Sequence, residues 1–125
     1  MCGIFGIAGA KNNAAQVVIR ALKKMEYRGY DSWGICVKAG GKLARERHIG
    51  KIGEAKTRLS HSSIGLGHTR WATHGGVTEG NAHPHLSGDE KLCLVHNGIV
   101  ENFLELKQKL RGYKFQSETD TEVAL

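Results

Sequence analysis

A chain of 125 residues, 40% hydrophobic and 24% charged, has the size of one domain and a composition that excludes disorder. Its formal charge of +6 comes from lysines and arginines spread along the sequence. The densest groups, "RALKK" and "RERHIGK", read as solvated faces without interleaved aromatics, which argues against a nucleic-acid partner. No apolar run approaches the ~20 residues that span a bilayer. The start "MCGIFGIAGA" lacks the charged flank of a secretory signal, and an odd set of three cysteines fits a reducing cytoplasm.

In chain order, "CGIFGIAG" reads as a buried strand. "NNAAQVVIRALKKMEYRG" has Ala14, Val17, Val18, Ala21, Leu22 and Met25 at helical spacing, with Asn12 or Asn13 as cap and Gly29 as stop. "WGICVK" and "KLARERHIG" are strands joined at Gly40–Gly41, a hairpin signal. "KIGEAKTRL" predicts a short helix. "SIGLGHTR" and "EKLCLVHNG" are strands that end in polar clusters, and Cys36 and Cys93 are core thiols on strands. "NFLELKQKLRG" is an amphipathic helix capped by Asn102, and "YKF" a short strand. "TDTEVAL" opens a helix with a capping-box pattern, Thr119 with Glu122. Mixed strands and helices with hairpin turns predict an α+β fold with largely antiparallel sheet.

Four features carry chemistry. Removal of Met1 leaves Cys2 with a free α-amine of pKa about 7.7–8.0 beside its thiol, so one residue supplies nucleophile and base. The alternative is that Cys2 only begins a strand. "HNG" places the Asn97 amide next to the Gly98 N–H, two donors that suit an oxyanion; "NG" is also a common tight turn. Arg70, in the polar stretch "HTRWATHGG", suits a carboxylate, and Asp120 an ammonium. Together they could read both ends of a free amino acid, or be structural ion-pair members. In "NAHPH", His83 and His85 share a strand face and could hold a metal, but Pro84 disfavours a regular central strand, and neither HExxH nor C-x-x-C occurs.

Taken in order, "MCGIFGIAG", "EYRGYDS", "HTRWATHG", "NAHPH", "VHNGIVEN" and "SETDTE" resemble the glutaminase domain of the glutamine–fructose-6-phosphate aminotransferases. These are class II glutamine amidotransferases of the N-terminal nucleophile hydrolase superfamily. The resemblance spans the chain. It implies a four-layer αββα sandwich, of which this chain is the N-terminal part. It also implies hydrolysis of the side-chain amide of L-glutamine, supplying ammonia for glucosamine 6-phosphate synthesis. Cys2 would be the nucleophile, and Asn97 and Gly98 the oxyanion hole. Arg70 would hold the α-carboxylate and Asp120 the α-ammonium. Trp71, Thr73 and His74 would belong to a loop closing over the substrate, with Arg28 near the nucleophile.

By the same resemblance no metal or organic cofactor is needed, and the full-length enzyme is a cytoplasmic homo-oligomer. Residues 1–125 read as a glutaminase domain truncated on its C-terminal side. Fructose 6-phosphate would act only through an isomerase domain outside the chain. Trp33 is bulkier than the residue typical of its position, and Gly75–Gly76 adds flexibility after the clamp. The rivals are a metal-dependent hydrolase using His68, His74, His83 and His85, and a basic binding module without catalysis.

Overall fold

The computed structural model describes residues 1–59, 61–73 and 75–125. Its main sheet has the order β1 (Gly3–Ala8), β4 (Ile64–Arg70), β2 (Ser32–Ala39), β3 (Lys42–Ile49), all neighbours antiparallel. The β2–β3 hairpin turns at Gly40 and Gly41, with φ of 57° and 80°. This is the left-handed backbone that the sequence signal predicts.

Residues paired across an antiparallel ladder share a face. Phe5 and Ile35 both pair with Gly67, and Ile7 and Val37 with Gly65. That face, with Trp33, receives helix α1 (Ala14–Met25), whose Ala15, Val18, Ile19 and Leu22 are buried against it. A Cβ on Gly67 would lie 2.6 Å from Val18 Cγ1, so α1 seats closely because β4 is bare there. Each large aliphatic side chain buried here contributes about 1.5–3 kcal/mol.

The other face is polar. Ser32, Gly34 and Cys36 of β2, His68 and Arg70 of β4, and Arg45 and Arg47 of β3 share it by the same pairing. Residues 78–98 lie across it, including β5 (His85–Leu86) and β6 (Cys93–Leu94), which pair with each other. Arg45 Nη1 donates to the Pro84 carbonyl at 3.3 Å, and Arg47 Nη1 to those of Gly80 and Ala82 at 2.8 and 3.2 Å. A Cβ on Gly34 would stand 2.3 Å from the His83 carbonyl oxygen, so this layer rests on bare backbone. Helix α3 (Asp120–Ala124) lies beyond β5, joined to it where the Thr119 hydroxyl meets His85 Nε2 at 2.9 Å. Helix α1 thus covers one face of the main sheet, and the layer with β5 and β6 the other. The α+β class with antiparallel sheets is as the sequence predicts.

Several local expectations differ. "KIGEAKTRL" is not a helix but a strap. Gly53 N–H donates to Glu26, Arg58 N–H and the Thr57 hydroxyl donate to Glu46, and Ile52 is buried in the core. Tertiary partners take the backbone that a helix would have used. Gly29 follows a 3-10 turn (Glu26–Arg28) in extended geometry, φ −172°. Its lack of a side chain serves close approach, because a Cβ would lie 2.7 Å from the Arg70 carbonyl carbon. Asn13 and Asn102 occupy the N-cap positions of α1 and of α2 (Phe103–Lys109) without a side-chain cap bond. "YKF" forms no strand; Tyr113 and Phe115 pack edge to face at 4.8 Å. Thr119 does cap α3, accepting from Glu122 N–H at 3.4 Å. The Glu122 carboxylate, however, reaches Gln116 and Ser117 N–H at 2.8 and 2.6 Å instead of closing the box on Thr119.

Candidate active site

Strand alternation assembles the site. His68 and Arg70 sit two residues apart on β4 and so project from one face, the polar one. Cys2 stands at the start of β1 beside the end of β4, because Gly3 pairs with Thr69. One cleft is lined by Cys2, Arg70, Trp71, Thr73, Asn97, Gly98 and Asp120. Residues up to 118 positions apart in sequence thus meet, and seven of the nine expected site residues are among them. Arg28 lines a second cleft adjoining the first, with Met1, Cys2, Thr73 and Asn97. It borders Cys2 from outside the Arg70 pocket. His74 lies outside the described residues.

The thiol is held by the chain after β4. Trp71 N–H points at Cys2 Sγ, 3.2 Å away, and the Cys2 thiol lies 3.6 Å from the Trp71 carbonyl. Asp31 braces this stretch: its N–H donates to the Arg70 carbonyl at 3.1 Å, and its carboxylate accepts from Ala72 N–H at 2.9 Å. The Trp71 ring is half exposed and packs on Tyr30 at 5.6 Å. Met1 is 83% exposed, so the residue that blocks the Cys2 amine is accessible for removal.

Asn97 Nδ2 donates to the Cys2 carbonyl oxygen at 2.9 Å, and its Oδ1 lies 2.8 Å from His68 Nε2. Gly98 has φ +153°, and a Cβ there would lie 2.8 Å from the His96 ring. Glycine therefore lets the turn fold over its own neighbour.

Arg70 is buried and donates through Nη1 to the Gly76 carbonyl at 3.2 Å. Burial lowers its pKa from the usual arginine value, while Cys2, Asp31 and Asp120 oppose that shift. Asp120 is buried in the first turn of α3, and its Oδ2 accepts from Val100 N–H at 2.7 Å. One carboxylate thus faces the Cys2 cleft and anchors the loop that carries Asn97 and Gly98. Asn81 ties the two sides together: Nδ2 donates to the Gly76 carbonyl at 3.1 Å and to Glu118 at 2.9 Å, while Oδ1 accepts from Glu118 N–H.

The histidines form a stack. His68 and His83 lie 4.4 Å apart at 29°, and His83 and His85 4.8 Å apart, edge to face. Burial is the main cause that depresses all three, His68 and His85 to about 4 and His83 to about 2. The rings are therefore neutral at neutral pH. No group of three or more metal-ligating side chains is arranged around a common point among the described residues.

Sequence reasoning left His83, His96, Thr119 and Thr121, which also line the cleft, without a role in glutamine handling, and met His68 only as a rival metal ligand. It likewise gave no role to Asp31 or Asn81. The signal for Asp31 is its place in "EYRGYDS", three residues after Arg28.

Cys2 thus shares one cleft with Asn97, Gly98, Arg70 and Asp120, and the class of protein to which such a chain belongs is the glutamine amidotransferases. The family profile of the glutamine amidotransferase domain matches residues 53–125, and the chain belongs to that family. Over the whole chain it is similar to glutamine–fructose-6-phosphate aminotransferase [isomerizing] of Corynebacterium glutamicum, with 49% identity over 99% of this chain and 22% of that protein. The protein of the same name from Streptococcus pneumoniae strain R6 is 51% identical over 100% of this chain and 21% of its own length. Among solved structures, the allosteric regulatory enzyme of purine biosynthesis superposes with a TM-score of 0.82 at 32% identity, covering 98% of this chain and 28% of that one. Glutamine phosphoribosylpyrophosphate amidotransferase from B. subtilis follows at 0.80 and 32%. The chain spans about a fifth of the length of these curated relatives.

Proposed function

We infer that this chain hydrolyses the side-chain amide of L-glutamine, with Cys2 as nucleophile, and delivers ammonia for glucosamine 6-phosphate synthesis in a longer protein. The observation that carries the reading is the meeting of Cys2, Arg70, Asn97 and Asp120 in one cleft. Removal of Met1 frees the Cys2 amine, which takes the thiol proton as sulfur attacks the amide carbon. Asn97 Nδ2 and the Gly98 N–H stabilise the tetrahedral oxyanion. The ammonium formed at the amine returns its proton to the departing nitrogen, and ammonia leaves. Water, deprotonated by the same amine, then cleaves the γ-glutamyl thioester to glutamate and the free thiol. None of these steps needs a metal or organic cofactor.

Arg70 binds the α-carboxylate and Asp120 the α-ammonium. Trp71 and Thr73, with His74, cover the bound substrate, and Arg28 lies outside the pocket beside Cys2. The relatives named for fructose 6-phosphate amination share about half of their aligned residues with this chain. The two purine-synthesis structures share 32%, which favours the amino-sugar branch. Fructose 6-phosphate is then bound by a domain beyond residue 125, in a cytoplasmic homo-oligomer. No helix among the described residues is long and apolar enough to cross a membrane.

The test is glutamate and ammonia release from glutamine by protein lacking Met1. Turnover that disappears in Cys2→Ala is the expected result. Undiminished turnover in that variant contradicts the reading.

A further inference from the structure

Asn97 works as an oxyanion donor only if its amide nitrogen faces the reaction centre. An asparagine amide has two nearly isosteric orientations, and its partners select one. On one side, Nδ2 lies 2.9 Å from the Cys2 carbonyl oxygen, which can only accept. On the other, Oδ1 lies 2.8 Å from His68 Nε2. The His68 side chain is buried, and its Nδ1 has no hydrogen-bond partner among the described residues. A neutral ring protonated on Nδ1 would leave the Nε2 lone pair facing the lone pairs of Oδ1, with no hydrogen between them. The proton therefore resides on Nε2 and is donated to Asn97. The ring plane is fixed by the stacked His83 at 4.4 Å, whose Nδ1 accepts from His96 N–H at 3.3 Å. Two packed imidazoles thus hold consecutive residues of the "HNG" turn, one by its backbone and one by its amide.

We propose that His68 is a positioning residue for the oxyanion hole: its Nε2–H locks the Asn97 amide with Nδ2 toward the Cys2 reaction centre. This rests on the glutaminase reading above. The choice of residue follows from register. His68 lies on the same face as Arg70, next to the strand that carries Cys2. Burial lowers its pKa to about 4, which keeps the ring neutral, with a single proton to place, across the working range.

The experiment compares His68→Asn and His68→Gln in Met1-free protein. A Gln side chain can bring an N–H to the place of the imidazole Nε2, whereas Asn stops short of it. Expected for His68→Asn is a loss in kcat of about 10²–10³, the range for an oxyanion donor, with KM for glutamine within about threefold. Alkylation of Cys2 by iodoacetamide, a displacement that forms no oxyanion, keeps its rate. His68→Gln recovers kcat to within about tenfold. In an Asn97→Ala background, His68→Asn costs little further, because its effect runs through Asn97.

Additive losses in that pair, or equal losses of kcat and KM in the Asn and Gln variants, overturn the proposal. So does an unchanged kcat in a folded His68→Asn protein. Should His68→Asn not fold, His68→Gln decides: kcat as low as in Asn97→Ala overturns it, and near-parental kcat supports it. Parent protein without turnover sinks the glutaminase reading itself. Parent turnover with His68 variants unaffected sinks only the role of His68.

Discussion

Trp71 N–H meets Cys2 Sγ at 3.2 Å, joining the first strand to a residue 69 positions later. The Cys2 thiol is therefore held by the same short stretch that presents Arg70. That stretch is braced in turn by Asp31 and, through the Gly76 carbonyl, by Asn81. Cys2 and Arg70 form one mechanical unit at one end of the β1–β4 pair.

Arg70 and Asp120 separate by kinetics. Arg70→Lys keeps a charge but loses the planar fork, so KM for glutamine rises about 10–100-fold, the equivalent of ~1.5–3 kcal/mol for a charged hydrogen bond. Asp120→Asn loses the charge yet keeps an acceptor for Val100 N–H. KM therefore rises similarly, with kcat within a few-fold. Asp120→Ala frees the loop that carries Asn97 and Gly98 and lowers kcat as well. Steady-state kinetics of the three variants check this. Equal effects of Asn and Ala at position 120 would remove the loop-anchoring role.

The buried histidines set an acid limit on stability. Their folded pKa values, about 4 for His68 and His85 and about 2 for His83, lie below the unfolded value of about 6.5. As pH falls, the unfolded chain takes up protons first. Stability is thus fully present above pH ~6.5 and is lost as pH falls toward about 4. For His68 and His85 the loss is on the order of 3 kcal/mol each, large beside a total of about 5–15 kcal/mol. Urea midpoints measured from pH 7 to 4.5 should fall steadily, and less steeply in His85→Gln. A flat profile between pH 7 and 5 contradicts the neutral, buried stack.

Two glycines distinguish the faces of the sheet. An alanine methyl at position 34 meets the His83 and Glu46 carbonyl oxygens at 2.3 and 2.8 Å, both backbone. The layer carrying His83 must lift, at a cost of about 3 kcal/mol or more, or roughly 10 °C in Tm. Gly67→Ala strains chiefly the α1 side, against Val18 and Leu22 at 2.6 and 2.9 Å, and meets the Gly34 carbonyl oxygen less closely, at 3.1 Å. Thermal melts should show both variants destabilised. Glutamine turnover per folded molecule should fall in Gly34→Ala alone, and an equal fall in both would contradict the assignment of faces.

Legibility followed the range of the interactions. Cys2, Arg70, Asn97, Gly98 and Asp120 are each ambiguous alone, as a strand start, a tight turn or an ion-pair member; the ordered motifs single them out, and the fold gathers all five in one cleft. The hairpin at Gly40–Gly41 was legible because its backbone requirement is local. "KIGEAKTRL" is no helix because the deciding partners of its backbone, Glu26 and Glu46, lie on other elements, out of reach of any local pattern. His68 supports Asn97 through a contact 29 residues away, and Asn81 reaches Glu118 across 37. Register and layer packing create both contacts, and no short motif encodes them.

The central claim is that a processed Cys2 is the nucleophile of a glutamine site. Intact-mass measurement with peptide mapping, after incubation with an electrophilic glutamine analogue, addresses it most directly. The expected product is a chain lighter by one methionine, carrying one adduct, on Cys2. Cys36, buried, and Cys93, half-buried, stay unlabelled, and excess glutamine slows the labelling. An adduct on Cys36 or Cys93 in place of Cys2, or equal labelling of chains that retain Met1, would contradict it.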